Sequence, residues 1–281
     1  MTIDPFDALA CPLDGEPLAG SGTCWRCPAG HSFDVARQGY LHLLPVQKKR
    51  SLAPGDSREM VAARRHFLNA GYYRPVAEAV NAAVLQCTSD EADRLACLDA
   101  GCGEGYYLRQ LAAESANTQL SVIGLDISKW AALAAAKQDK RPRWVVGSNA
   151  NIPVLPGTLD RILCLFGFPV YTEFARVLKT GGLLIRADAG PNHLRELREI
   201  IYPSLKPEKL PASEAPEGFS LVDTETVCYP LTLESPEVIA DLLAMTPHLY
   251  RASVEGRERA AQLDRLTVTV EVQLVRLQHV G

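Results

Sequence analysis

Two clusters in this 281-residue chain have residue types and spacing that chemistry can use. The first is Asp99-Ala-Gly101-Cys-Gly103-Glu104-Gly105-Tyr106-Tyr107. Glycines at alternate positions let the backbone turn sharply and approach a ligand closely, and a helix opening after them offers free N–H groups. Asp126 comes 21 residues after Gly105, at the end of the next apolar run, where a carboxylate can accept both hydroxyls of a ribose. The dinucleotide fingerprint G-x-G-x-x-G must admit a pyrophosphate. Here the third glycine falls one residue early, Tyr106 is bulky, and Asp99 sets an acid ahead of the first glycine. An acidic pocket of that kind suits a cationic ligand such as a sulfonium amino acid.

The second cluster is Cys11-x2-Asp14, then Cys24-x2-Cys27-x3-His31. Its ligand types and spacing lie near those of a zinc ribbon. Asp14 stands where another Cys is expected, so a tetrahedron can close through Asp14 itself or through Cys24. Residues 11–31 carry almost no aliphatic core, so a metal clip would supply order that burial cannot. The other cysteines, Cys87, Cys97, Cys102, Cys164 and Cys228, are scattered among apolar residues and read as small hydrophobes.

Elements must hold these groups in place. Strand-like runs fall at 95–100, 120–125, 143–146, 161–166, 183–187, 220–228 and 266–277. Helical stretches fall at 58–70, 75–86, 105–115, 128–138, 170–178, 191–201 and 235–243. Alternation of this kind predicts an α/β fold, a doubly wound and mostly parallel sheet with helices on both faces. The last strands are long and follow one another with fewer helices, which predicts an antiparallel edge.

Hydrophobic residues make up 47% and charged residues 22% of the chain, which excludes wholesale disorder. No apolar run reaches the roughly 18 residues of a membrane span, and the N-terminus lacks the basic and apolar regions of a secretory signal. A cytoplasmic protein is expected. The net charge is −4, yet residues 45–75 hold seven basic side chains against Asp56 and Glu59. Such a segment is a candidate footprint for a phosphate backbone, with a solvated helix face as the plain alternative.

Asp99–Gly105 resembles the first motif of class I S-adenosylmethionine methyltransferases. That likeness places Asn149, in Val146–Pro153, where the fold holds an adenine, and Phe166-Gly-Phe168-Pro169 in the loop facing the methyl acceptor. A wider set of segments is similar to the 23S ribosomal RNA guanine-N1 methyltransferase family: Cys27–Gln47, Pro54–Tyr73, Asp99–Tyr107, Gly190–Leu194, Ile201-Tyr-Pro and Met245-Thr-Pro247. The resemblance covers nearly the whole chain.

It implies a zinc-ribbon-like RNA-binding domain at 1–45, a basic linker and helix at 46–75, and a methyltransferase domain at 76–281. It implies S-adenosylmethionine as methyl donor, a 23S rRNA hairpin as partner, no membrane association, and a homodimer whose two chains shape an RNA cleft. The stretch Leu43–Arg50 is similar to the Gram-negative branch, which implies a target of the 745 type. Zinc positions match Cys11, Asp14, Cys27 and His31, and cofactor contacts carry over to Tyr73, the Gly103–Gly105 turn and His193. Lys48, Lys49, Arg50, Arg64 and Arg65 would hold phosphates. Phe166 and Phe168 are candidates to stack on the base, and Glu104 and Asp188 are candidates to take its proton. A small-molecule methyltransferase with a vestigial N-terminal segment is the alternative, and the basic stretch beside a ribbon argues against it. Intact Gly101, Gly103, Gly105 and Asp126 argue against a non-enzymatic RNA binder.

Overall fold

Short apolar runs bounded by Gly, Pro or Asp become strands buried on both faces of one large sheet. The computed structural model describes residues 3–48, 51, 53–86, 94–114, 118–205 and 215–281. The N-terminal strands are β1 (Ile3–Pro5), β2 (Ala19–Ser21), β3 (Cys24–Arg26), β4 (Ser32–Asp34) and β5 (Tyr40–His42). Helices α1 (Arg58–Asn69) and α2 (Arg74–Leu85) lead into β6 (Leu95–Ala100), α3 (Tyr106–Glu114), β7 (Leu120–Asp126) and α4 (Lys129–Gln138). Next come β8 (Arg143–Val146), β9 (Leu159–Leu165), α5 (Tyr171–Val177), β10 (Leu178–Ala189) and α6 (Arg195–Ile201). The chain closes with β11 (Phe219–Leu233), α7 (Pro236–Ala244), α8 (His248–Arg251), α9 (Val254–Ala261) and β12 (Leu266–His279).

The strand order is β11-β12-β10-β9-β6-β7-β8-β5. Pairs from β5 through β10 are parallel, while β12 runs antiparallel to both β10 and β11. This is the doubly wound sheet with an antiparallel edge. Val76, Val80, Leu108 and Trp144 pack on one face, and Leu41, Leu98, Ile162 and Phe174 on the other.

The N-terminal segment is threaded into that sheet. β1 pairs with Leu120–Val122 of β7, along the edge where β8 takes Ile123–Asp126, and β5 adds to β8. Between them β2, β3 and β4 form their own small antiparallel sheet. The ribbon is thus an excursion between two strands of the large sheet, and residue 45 falls just after one of those strands.

Helix starts follow local chemistry. Ser57 Oγ accepts from the Met60 N–H at 3.3 Å to cap α1, Ser128 caps α4, and Ser235 with Pro236 opens α7. The helix expected from 191 begins only at Arg195, because residues 190–194 form a turn in which Leu194 takes a left-handed φ of 53°. Helices α8 and α9 were not foreseen. Cys228 is exposed, since β11 is an edge strand, which corrects its reading as a buried hydrophobe; Cys97, Cys102 and Cys164 are buried, and Cys87 lies outside the described residues.

Candidate active site

The glycine bend joins β6 to α3 at the carboxyl end of the sheet. Gly101, Gly103 and Gly105 have φ of 105°, 54° and 81°, values that side chains rarely tolerate. A Cβ on Gly105 would stand 2.4 Å from the Trp144 ring, whereas one on Gly101 would meet nothing within 4 Å. Packing therefore shapes one side of the bend and leaves the other open. Asp126 fixes the bend to the end of β7: its carboxylate accepts from the Gly103 N–H at 2.9 Å and from the Ser128 N–H at 2.7 Å. Asp99 is 1% exposed, and its Oδ2 has no hydrogen-bond partner among the described residues. Burial first, then the neighbouring Asp126, pushes the Asp99 carboxyl up to about 8. A buried acid without a counter-charge beside an open glycine cradle fits a cationic cofactor such as S-adenosylmethionine. Asn149 stands at the same place, its amide donating to the Ala100 carbonyl at 3.3 Å. Tyr106 is buried at the start of α3, edge-on to Tyr107.

Glu104 is turned to other work. Its Oε2 accepts from Arg109 at 2.9 Å and Gln138 at 2.6 Å, tying α3 to α4. Those bonds make it a brace for the bend, while its buried Oε1 has no hydrogen-bond partner among the described residues.

A second wall closes the site. Glu271, on β12, donates its backbone N–H to His193 Nδ1 at 3.2 Å, so the ring proton sits on Nε2 and points to the Tyr73 hydroxyl 3.2 Å away. Burial above all pushes His193 down to about 4, so the ring is neutral at pH 7. The Phe166 ring lies 6.2 Å from Tyr73 and 5.9 Å from His193. Phe166 itself has a φ of 54°, and with Leu194 it is one of two non-glycine residues in the left-handed region among those described. Strain gathered at one place is what a ligand site shows. Phe166 is 41% and Phe168 89% exposed, so both rings are open to a stacking partner. Glu271 was missed from the sequence, although a carboxylate between valines in a buried strand was a visible signal. Its Oε2 accepts from the Asn192 side chain at 2.8 Å, and a Cβ on Gly190 would press within 2.6 Å of its Oε1. Asp188, next to last in β10, pairs with Arg186 at 2.6 Å; neither Arg186 nor its partner Tyr171 was anticipated.

The ribbon brings four ligand atoms together. Those of Cys11, Asp14, Cys27 and His31 lie within 4.8 Å of one another. Individual separations run from 2.9 Å (His31 Nδ1 to Asp14 Oδ2) through 3.2 Å (Cys27 Sγ to Asp14 Oδ2) to 3.6 Å (Cys11 Sγ to His31 Nδ1). Ligands at zinc bond lengths of roughly 2.0–2.3 Å define tetrahedron edges of about 3.3–3.8 Å, so the donor set fits that ion. Hydrogen bonding, led by Cys11, holds the Asp14 carboxyl well below the usual carboxylate range. Cys24 is outside the group, with its sulfur 3.0 Å from Ser32 Oγ; its place among the metal candidates is corrected. The ribbon docks beside the cofactor loops, Ala10 N–H donating to Pro153 and Asn151 to the Pro12 carbonyl.

The basic segment divides. Arg64 is no open phosphate ligand: its guanidinium pairs with Asp56 and donates to the Met245 carbonyl at 3.1 Å. It also lies 3.6 Å from where a Cβ of Gly103 would be, so α1 walls one side of the glycine bend. Arg65 is exposed, without an ion pair among the described residues. Lys48 ends a short 3-10 turn, and Lys49 and Arg50 lie outside the described residues.

Comparison with known proteins agrees with both halves of this picture. Residues 9–52 match the zinc-ribbon family described as "RlmA, N-terminal", and residues 97–182 match the family described as "Methyltransferase domain". A Micromonospora griseorubida protein, named provisionally as a 23S rRNA (guanine-N1)-methyltransferase, is 32% identical over 98% of this chain and 99% of its own. A Bacillus subtilis protein, YxjB, with the same provisional name, is 29% identical over 98% of each chain. The Streptomyces fradiae 23S rRNA (guanine(748)-N1)-methyltransferase is 31% identical over 69% of this chain and 67% of its own. An S-adenosylmethionine-type glycine bend, a four-donor ribbon docked beside it, and likeness along the whole length lead to one conclusion: the chain belongs to the 23S rRNA (guanine-N1)-methyltransferase family.

Proposed function

We propose that this protein transfers a methyl group from S-adenosylmethionine to N1 of a hairpin guanine, of the 745 type, in 23S ribosomal RNA. The observation that carries the reading is the orphaned, buried Asp99 oxygen beside the open face of the Gly101–Gly105 bend, in a chain of this family. The cofactor supplies an electrophilic methyl on a sulfonium. Asp99 balances positive charge, Asp126 stands at the ribose position, and Asn149 at the adenine. Tyr73 accepts the His193 proton, which leaves its own hydroxyl hydrogen to donate to the cofactor.

The target base must leave its stack to reach the methyl, and an unpaired hairpin base does so at little cost. The exposed rings of Phe166 and Phe168 support stacking on it. Most of the acceleration then comes from holding two reactants in line. Lys48, Lys49, Arg50 and Arg65 contact phosphates, making RNA affinity fall steeply with salt. Cys11, Asp14, Cys27 and His31 hold zinc, which orders a ribbon too small to order itself. In this reading residues 1–45 serve as the RNA-binding unit, 46–75 as basic linker and helix, and 76–281 as the methyltransferase unit. The protein works as a homodimer in the cytoplasm; no helix among the described residues is long and apolar enough to cross a membrane.

Primer extension on large-subunit rRNA from a strain lacking the gene, with and without the gene restored, tests this. A stop at a hairpin guanine only when the gene is present is the expected result. An unchanged pattern sinks the proposal.

A further inference from the structure

Beside Phe166 lies a polar array that neither the cofactor nor the ribbon uses. The Phe166 N–H donates to the Ala187 carbonyl at 2.7 Å, which sets Asp188 next to the strained Phe166 at the carboxyl ends of β9 and β10. Arg186, two residues earlier on the same face of β10, donates to Asp188 Oδ2 at 2.6 Å and to the Tyr171 oxygen at 2.6 Å. Both Arg186 donations have fixed consequences. Among the described residues, Asp188 is left with Oδ1 as an open acceptor, and Tyr171 with its hydroxyl hydrogen as an open donor. All three side chains are only partly buried, so a ligand can reach the array.

A carboxylate acceptor next to a hydroxyl donor is complementary to one nucleobase edge. Guanine offers N1–H and N2–H as donors beside the O6 acceptor, whereas adenine has no proton on N1. We propose that Asp188, held by Arg186 and flanked by Tyr171, reads the target guanine and receives its N1 proton. This rests on the function proposed above. The step balances: the N1–H proton passes to Asp188 Oδ1, and the N1 electron pair left behind forms the new N–CH3 bond. The methyl's old bond to sulfur breaks onto sulfur, so the sulfonium ends as a neutral thioether and the carboxylate as a neutral acid that later gives its proton to water. Tyr171 donates to O6, where negative charge gathers as N1 is deprotonated.

The groups around Asp188 suit it to this work. They are Arg186 on its own strand, Tyr171 from α5 and Cys164 from β9; the residue opposite on β12 is the uncharged Gln273. Burial pushes the Asp188 carboxyl up against the opposing pull of Arg186, so its carboxylate is a stronger base than that of a surface aspartate.

The test compares wild type, Asp188→Asn and Tyr171→Phe on the 23S hairpin RNA. For Asp188→Asn the account expects kcat to fall by about 100-fold or more, with cofactor Kd and RNA KM within about threefold of wild type. Its residual rate should climb with pH, because alkali removes the N1 proton without help, a rescue that a merely structural role would not give. Tyr171→Phe should lose about tenfold in kcat and keep cofactor affinity. Wild-type kcat and pH profile in Asp188→Asn overturns the inference while leaving the proposed function standing. If Asp188→Asn does not fold, an unchanged kcat in Tyr171→Phe overturns it equally. A wild-type enzyme that leaves guanine N1 unmethylated removes the function and this inference together.

Discussion

Residues 11–31 and residues 98–107 are both short, glycine-bearing and polar, yet they are held by opposite means. The glycine bend is clamped from outside: Trp144 packs where a Gly105 side chain would go, Asp126 grips the Gly103 N–H, and Glu104 is pinned between two helices. The ribbon has three short strands, four ligand atoms facing one point, and Leu18 and Trp25 as its main apolar contacts with the core of the large sheet. Burial positions the first and leaves an open, acid-lined cradle. The second adds a converging donor set to a small apolar contact, so in the proposed reading an ion supplies much of its order. The contrast teaches that a site can be preorganised by packing or by coordination, and that the two respond to different perturbations.

Metal removal should separate the regions most strongly. Structural zinc binding is worth about 10 kcal/mol or more, so chelation or Cys27→Ser should abolish bound zinc and erase hydrogen-exchange protection in β2–β4. The β6–β10 strands should keep theirs, and Cys24→Ser should retain stoichiometric metal by elemental analysis. Loss of metal from Cys24→Ser would erase the assignment of Asp14 as the fourth ligand.

Gly105→Ala attacks the other region. Its Cβ would meet the Trp144 ring at 2.4 Å with φ at 81°, and overpacking plus strain should cost about 3 kcal/mol in denaturant unfolding. Zinc content should not change.

Two pH effects sharpen the picture of the bend's surroundings. His193 has its folded pKa depressed to about 4 from 6.5, so the unfolded chain binds the extra proton between those values. Stability is therefore full above about pH 6.5 and declines as pH falls toward 4, by about 2 kcal/mol at pH 5. His193→Gln should flatten that slope in thermal melts. Asp99 is raised to about 8 from 3.8, so the cofactor-free fold keeps a proton there at pH 7, and its stability declines as pH rises from about 3.8 to 8. A cationic cofactor needs the anion, and ionising Asp99 at pH 7 costs about 1.4 kcal/mol. Binding should release a proton, and affinity should fall up to tenfold per pH unit below 8. Calorimetry in buffers of different ionisation enthalpy reads the proton, and Asp99→Asn should abolish the release.

The middle of the chain was the most legible. Strands near 95–100 and 120–125 were each followed by a helical stretch, the strand near 143–146 was preceded by one, and the glycine spacing marked the carboxyl end of the first. Contacts remote in sequence were not legible. That β1 and β5 would join the large sheet depends on which edges of β7 and β8 remain open. Arg64 read as a surface cation because its partners, Asp56 and the Met245 carbonyl, become neighbours only after folding. Spacing alone left Asp14 and Cys24 as alternatives, since ligand geometry is a property of the folded hairpins. Asp188 was named as a proton acceptor through the family resemblance alone, and Arg186 was indistinguishable from an ordinary strand charge until α5 brought Tyr171 to it.

The most direct measurement incubates purified protein with methyl-labelled S-adenosylmethionine and the 23S hairpin, then identifies the modified nucleoside by mass spectrometry. The account predicts 1-methylguanosine, formed only with RNA present and lost in Asp126→Ala. Label transferred without RNA, or recovered on any other atom, would contradict it.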